Sequence, residues 1–252
     1  MTGQNTFSEA SATPEQILAI FQDSQRLEFP NENDVISFET TINEWFDSAD
    51  FLDWWTASKG LNEFFLTSFS KDEWRLAMKP EKQKTLRDVC NLLARDAKLP
   101  VLKESKFLGA SCKTASAFFA LRAQLQMSGV DAATLRPSAR LDDFLRLHTQ
   151  AMTNAILKLA PGRLPKINTK LNLAHRFFAW TSLVCLIVLI LSKLFSLSFW
   201  TATSCAALLL SVIGLVICSR FPPAKVEIKG LHTFADLSRL IAGEVHCGKN
   251  HN

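Results

Sequence analysis

Four carboxylates recur at steps of three: Glu44, Asp47, Asp50 and Asp53. Such a run is one way to build a metal or acid/base site. On a helix of 3.6 residues per turn, each step of three falls about 60° short of a full turn. The four acids therefore spread over half the helix surface, and a solvated acidic face is the expected reading. Asp142 and Asp143 are adjacent, so on a helix they point apart and make no acid/base pair. Cys112 precedes Lys113 at a helix start, and both features can lower a thiol pKa. No His or Asn partner is in reach in the sequence, so a structural cysteine is expected. His246, Cys247 and His251, with His232, form the one His/Cys cluster. Zinc needs three or four ligands in a closed shell, and a cluster at the end of the chain is a poor one.

No glycine-rich phosphate loop, metalloprotease pair, nucleophile elbow or dinucleotide fingerprint occurs. No catalytic residue, cofactor or metal ligand is nominated, so no enzyme is expected, and a membrane-tethered enzyme of unrecognised type is the third alternative for function. The basic residues Lys82, Lys84, Arg87, Arg95 and Lys98 lack aromatic interleaving and any binding motif, so no nucleic acid is expected as a partner.

The stretch that organises the chain is 177–219, which holds 43 residues and one charge, Lys193. A single helix of that length would be about 65 Å long, against a hydrocarbon core of about 30 Å. The stretch must fold back. A transmembrane hairpin is expected, with one arm from Phe177 to about Leu197 and a second from about Trp200 to Cys218, stopped by Pro222 and Pro223. A hairpin that enters one leaflet and returns is the alternative geometry. An ammonium at the bilayer centre costs at least about 2.5–3.5 kcal/mol, so Lys193 is expected at the far interface beside Phe195, Phe199 and Trp200.

The basic residues Arg163, Lys166, Lys170 and Arg176 precede the stretch, and Arg220, Lys225 and Lys229 follow it. The positive-inside rule then places both termini in the cytoplasm of a multi-pass protein. Ser182, Cys185, Leu189, Ser192 and Ser196 recur at helical spacing in the first arm, and Ser204, Ala207, Ser211, Gly214 and Cys218 do so in the second. Small residues at that spacing let two backbones approach in lipid, so these seams are expected to face each other.

The rest reads as helical, which makes the expected fold all-α: a polar, unstructured segment 1–12, a helical cytoplasmic domain 13–165, the hairpin, and a tail 220–252 with a short amphipathic helix. Thr13–Gln16 is a capping pattern with Pro14 at the first helical position. Asp34 opens a second helix running to about Phe46. Gly60 ends a helix, and Ser70–Glu73 opens another that stops near Pro80. Residues 81–97 form the next, Leu99–Leu102 an extended run, and Ser111 caps a helix to Met127, closed by Gly129. Arg136-Pro137-Ser138 starts the last soluble helix, and Pro161-Gly162 with Pro165 makes a joint before the membrane. Phe234, Leu237, Leu240 and Ile241 stripe a helix begun at Thr233–Asp236, which lies on the membrane or docks on the soluble domain.

Residues 1–80 carry 14 acids and 5 bases, and residues 81–176 carry 7 acids and 17 bases. The basic half adjoins the apolar stretch, which suits an anionic leaflet at about 1 kcal/mol per well-placed cation. Six cysteines with no CxxC pair and cytoplasmic termini argue against a disulfide framework. With polar first residues and Thr2, neither a signal peptide nor N-myristoylation is expected. Aromatics crowd the stretch from Phe38 to Trp74, as a helical core or as a partner surface if Trp54 and Trp55 are exposed. The function expected from all this is a membrane-anchored interaction or scaffold module with a protein partner. The alternative is an oligomeric two-helix channel or permeabilising effector.

Overall fold

The computed structural model describes residues 7–28, 36–48, 53–103, 106–107, 110–164, 167–170, 225–228 and 230–244, with the four positions Trp180, Leu183, Ile187 and Ile190. The chain is mostly helical, with three two-stranded pairs among the described residues. It divides into two units. One comprises 1–141, 150–166 and 228–252, and the other 142–149 and 167–227.

In the first unit, β1 (Phe7–Ser11) pairs antiparallel with β2 (Lys98–Leu102), Phe7 opposite Leu102 and Ser11 opposite Lys98. The segment 1–12, expected without structure, therefore holds a strand from residue 7. Its partner is the extended run at Leu99–Leu102, some ninety positions away, and β1's own sequence carries no strong alternation. Helix α1 (Pro14–Glu28) opens where expected. The Thr13 backbone N–H donates to Gln16 Oε1 at 2.9 Å and the Gln16 N–H to Thr13 Oγ1 at 3.3 Å. Its buried face, Ile17, Leu18, Ile20 and Phe21, packs on α5 (Leu86–Ala94).

Two boundaries differ from the expectation for one shared reason. Asp34 lies outside the described residues, and α2 (Ile42–Ser48) starts after Thr41. Helix α5 starts at Leu86, five residues later than the periodicity suggests. Thr41 and Thr85 form an antiparallel bridge, with the Ile42 N–H donating to Lys84 O and the Leu86 N–H to Thr40 O, both at 2.9 Å. Backbone committed to that bridge cannot join a helix.

Helix α3 (Trp54–Phe65) runs through Gly60, which the sequence reading takes as a stop. A Cβ at Gly60 would meet nothing within 4 Å, so no close approach needs the glycine there. The helix ends instead on Leu66 in the left-handed region, φ 56°. Asn62 organises the turn that follows. Its Nδ2 donates to Phe69 O at 3.0 Å, and its Oδ1 accepts from Thr67 Oγ1 at 2.9 Å and from Trp74 Nε1 at 3.2 Å. That last bond satisfies the one polar atom of a fully buried tryptophan. Helix α4 (Lys71–Met78) opens on the expected Ser70–Glu73 capping box.

After the short pair β3 (Lys106–Phe107) and β4 (Ala110–Ser111) comes α6 (Lys113–Met127), and then α7 (Leu141–Leu159), kinked at His148. The last described helix, α8 (Phe234–Ala242), opens on the expected Thr233–Asp236 box and packs on α6. Phe234, Leu237, Leu240 and Ile241 are buried on one side, and Ala117, Phe118, Ala120, Leu121 and Leu125 on the other. Backbone bonds fasten its start: the Leu141 N–H donates to His232 O at 2.9 Å and the Ala235 N–H to Pro137 O at 2.8 Å. Of the two positions open to this helix, it takes the docked one, as part of the core rather than of a separate tail.

In the second unit, β5 (Ile167–Lys170) is hydrogen-bonded to β6 (Lys225–Ile228). Among the described residues no helix is long and apolar enough to cross a membrane. The two arms expected in 177–219 lie outside the described residues except for Trp180, Leu183, Ile187 and Ile190. These four are helical and exposed.

Candidate functional site

The acidic run does not converge. The Glu44 carboxylate accepts from the backbone N–H and hydroxyl of Thr41, each at 2.9 Å, and caps α2. Asp53 caps α3 through the N–H groups of Trp55 and Thr56. Asp47 takes the amide of Asn43, and Asp50 lies outside the described residues. No group of three or more His, Cys, Asp or Glu could hold a metal among the described residues. His246, Cys247 and His251 lie outside them.

Cys112 is the N-cap of α6, its Sγ accepting from the Ala115 N–H at 3.4 Å. That is a structural job. Cys90 is fully buried on α5, and burial first, then the charge of Glu15, pushes its thiol up to about 12. The thiolate is the reactive species. Cys90 is therefore expected to resist alkylation at pH 8 until the chain unfolds. Peptide mapping after iodoacetamide in native buffer and in denaturant checks this, and rapid native labelling of Cys90 contradicts it.

Of the basic residues expected to flank the membrane, Arg163 is described. It follows Gly162 in the joint, and its Nη1 donates to Ile241 O at 3.4 Å, against the end of α8. Lys170 and Lys225 stand in the paired strands β5 and β6. Lys166, Arg176, Arg220 and Lys229 lie outside the described residues. So do Lys193 and the seam positions Ser182, Cys185, Ser192, Ser196, Ser204, Ala207, Ser211 and Gly214.

The joint rests on a residue the sequence reading missed. Asp23 is completely buried on α1. Its Oδ2 accepts from the N–H of Gly162 at 2.8 Å and of Leu164 at 3.3 Å, and its Oδ1 pairs with Arg26. Burial raises its carboxyl above the usual range, against the opposing pull of Arg26 and the two amides. Position 23 lies three after Ile20 and six after Ile17, so a carboxylate falls on an apolar stripe. That was the available signal.

Two concavities are lined by described residues. A cleft of about 370 Å³ lies among β1, β2, the end of α7 and Ile241, with Lys158 and Arg163 on its wall. Burial lowers the Lys158 ammonium pKa, and its Nζ sits 4.8 Å from the centre of the Phe64 ring. A wider groove of about 610 Å³ runs along α4 and is lined by Trp54, Lys71, Asp72, Arg75, Leu76, Lys79 and Pro80. The aromatic stretch divides between core and surface. Trp45, Phe46, Phe65, Phe69 and Trp74 are buried, with Trp45 stacked on Phe21 at 5.2 Å. Trp54 and Trp55 are half-buried, and the ammonium groups of Lys59 and Lys71 lie 5.0 and 5.3 Å from the Trp55 ring. No family model matches the chain, and no curated protein or solved structure matches it.

Proposed function

We propose that this chain is a membrane-anchored protein-interaction module: a helical cytoplasmic body from which a two-helix hairpin is extruded into a bilayer. The observation that carries the reading is chain connectivity. Besides the short segment 142–149, the first unit is left at residue 166 and rejoined at 228, where α8 completes the packing on α6. An excursion that starts and finishes in one body crosses a bilayer an even number of times or not at all. The β5–β6 pair agrees, because hydrogen-bonded strands lie about 4.8 Å apart. It holds the entering and returning segments together around a stretch too long for one crossing.

The four described positions within the stretch point the same way. Trp180, Leu183, Ile187 and Ile190 are helical, apolar and between 47% and 65% exposed. A row of large apolar side chains at helical spacing facing outward suits lipid better than water. The interaction half of the proposal rests on the half-buried tryptophans and the two open concavities, neither of which assembles a catalytic constellation.

Membrane preparations of cells expressing the chain test the anchor. The protein is expected to stay in the pellet through 1 M salt and through carbonate at pH 11, and to be released by detergent. Labels at residue 9 and residue 244 are expected to react from the same side of sealed vesicles. Release by alkali, or labels on opposite sides, would overturn the reading.

A further inference from the structure

Helix α4 carries a cation at its first position, held over the Trp55 ring, and an outward apolar side chain that its own folding does not call for. Lys71 stands at its first position, where a cation opposes the helix dipole. Leu76 is 73% exposed, although α4 already buries Trp74, Ala77 and Met78. These two residues belong to adjacent rows. Lys71 and Arg75 stand four apart on the helix and share a face, and Lys79 follows at the helix C-cap. Asp72 and Leu76 make the neighbouring row, Pro80 lines the groove beyond the helix end, and Trp54 at the start of α3 closes the far side. The result is a groove with apolar groups at Trp54, Leu76 and Pro80, and three cations to one acid along it. Lys79 is partly engaged by Glu81 at 2.6 Å, while Arg75 makes no ion pair with a described residue.

We infer that this groove is the recruiting surface of the module, and that its occupant is an acidic peptide segment carrying a Leu- or Phe-sized side chain. The inference rests on the interaction reading above and names the face and the partner's chemistry. Charge complementarity selects the occupant. A basic segment would be repelled by Lys71 and Arg75, and a purely acidic one would leave Leu76 and Trp54 in water. The apolar side chain seats between Trp54 and Leu76, where desolvation makes an anchor. The carboxylates meet Lys71 and Arg75 at the wetter edge, where they speed encounter and tighten binding in a salt-dependent way.

Full-length protein in a neutral detergent tests this by fluorescence anisotropy with three labelled peptides of about twelve residues. The first alternates Glu with a central Leu-Phe pair, the second replaces Glu by Gln, and the third replaces Leu-Phe by Ser-Ser. The first is expected to bind, and the other two at least about tenfold more weakly. Arg75→Glu and Leu76→Asp are each expected to raise the Kd of the first peptide about tenfold or more, with Arg75→Glu losing its effect in high salt. Leu66→Asp, at an exposed leucine outside the groove, is expected to change nothing. Melting curves of each variant separate lost binding from lost folding.

The inference is overturned if the first peptide does not bind, if the Gln peptide binds equally, or if Leu76→Asp and Arg75→Glu leave binding intact. It is also overturned if the peptide binds in neutral-lipid nanodiscs but is displaced when anionic lipid is added, because the face then belongs to the membrane surface. Peptide binding in detergent does not depend on residence in a bilayer. Failure here and failure of the alkali-extraction test are therefore separate results.

Discussion

Asp23→Ala is expected to lower the stability of the helical body by about 3 kcal/mol, with the loss felt first at the joint before the apolar stretch. The carboxylate is fully buried, and it is the acceptor for two backbone N–H groups, Gly162 and Leu164. A buried donor left without a partner costs about 1–3 kcal/mol; alanine strands the buried Leu164 N–H and removes the partner of the part-buried Gly162 N–H. The joint has little freedom to find others. Gly162 sits at φ +78°, and a Cβ added there would already be 3.4 Å from Ala19. Asp23→Asn keeps one acceptor oxygen for the two amides but turns an NH2 donor toward Arg26 in place of Oδ1, so a loss of about 1 kcal/mol is expected. Denaturant melts of the two variants check the ranking, and equal losses would show that the charge, not the acceptor, matters.

The same pair of proteins gives a signed pH test. Burial raises the Asp23 carboxyl in the folded state, so folding takes up a proton there. Its stabilising contribution is full below the ordinary carboxylate pKa of about 3.9 and declines as pH rises through the folded value. The stability gap between wild type and Asp23→Asn is therefore expected to narrow from pH 3 to pH 7. The capping carboxylates act in the opposite sense. Backbone and hydroxyl donors of Thr41 lower Glu44, and those of Ser70 lower Glu73. Their support is lost as pH falls, but they are common to both proteins and cancel in the difference. A gap that widens with pH would mean that Arg26 and the two amides outweigh burial.

Local chemistry was legible in this sequence, and long-range pairing was not. The Thr13, Ser70 and Thr233 capping patterns each open the helix expected of them, because a cap is settled within four residues. Strand β1 escaped notice because its partner lies far along the chain. The starts of α2 and α5 were misjudged for the same reason: the Thr41–Thr85 bridge stops both, and neither segment reveals the other. Gly60 shows the limit of residue propensity. A helix interior tolerates glycine at a cost of about 1 kcal/mol, and here Asp53 and the Asn62 turn fix the two ends instead. The destination of α8 could not be read at all, since one apolar stripe suits lipid and α6 equally well. The groove along α4 was half legible: Trp54 was singled out by its aromatic neighbours, but an outward Leu76 needs the burial of Trp74 and Met78 to be recognised as surplus.

Excising residues 171–224 is expected to convert the chain into a water-soluble protein with the melting behaviour of the parent's helical body. A flexible Gly/Ser linker of about eight residues reaches roughly 16 Å. Strands in a pair lie about 4.8 Å apart and a four-residue strand is about 13 Å long, so the linker joins β5 to β6 whichever ends are nearest. Every element that packs in the first unit is retained, α8 included. The excised protein then makes α8 measurable. Phe234 is fully buried where α8 meets α6, and Phe234→Ala is expected to cost about 3–5 kcal/mol. At roughly 2–4 °C per kcal/mol for a chain of this size, that lowers the Tm by about 10 °C. If excision leaves a protein that still needs detergent, the proposed role of the apolar stretch as the membrane anchor fails. If the excised protein is soluble but indifferent to Phe234→Ala, α8 is not part of its core. The chain would then have no structural reason to return to the body it left, and the argument for an even number of crossings would lose its premise.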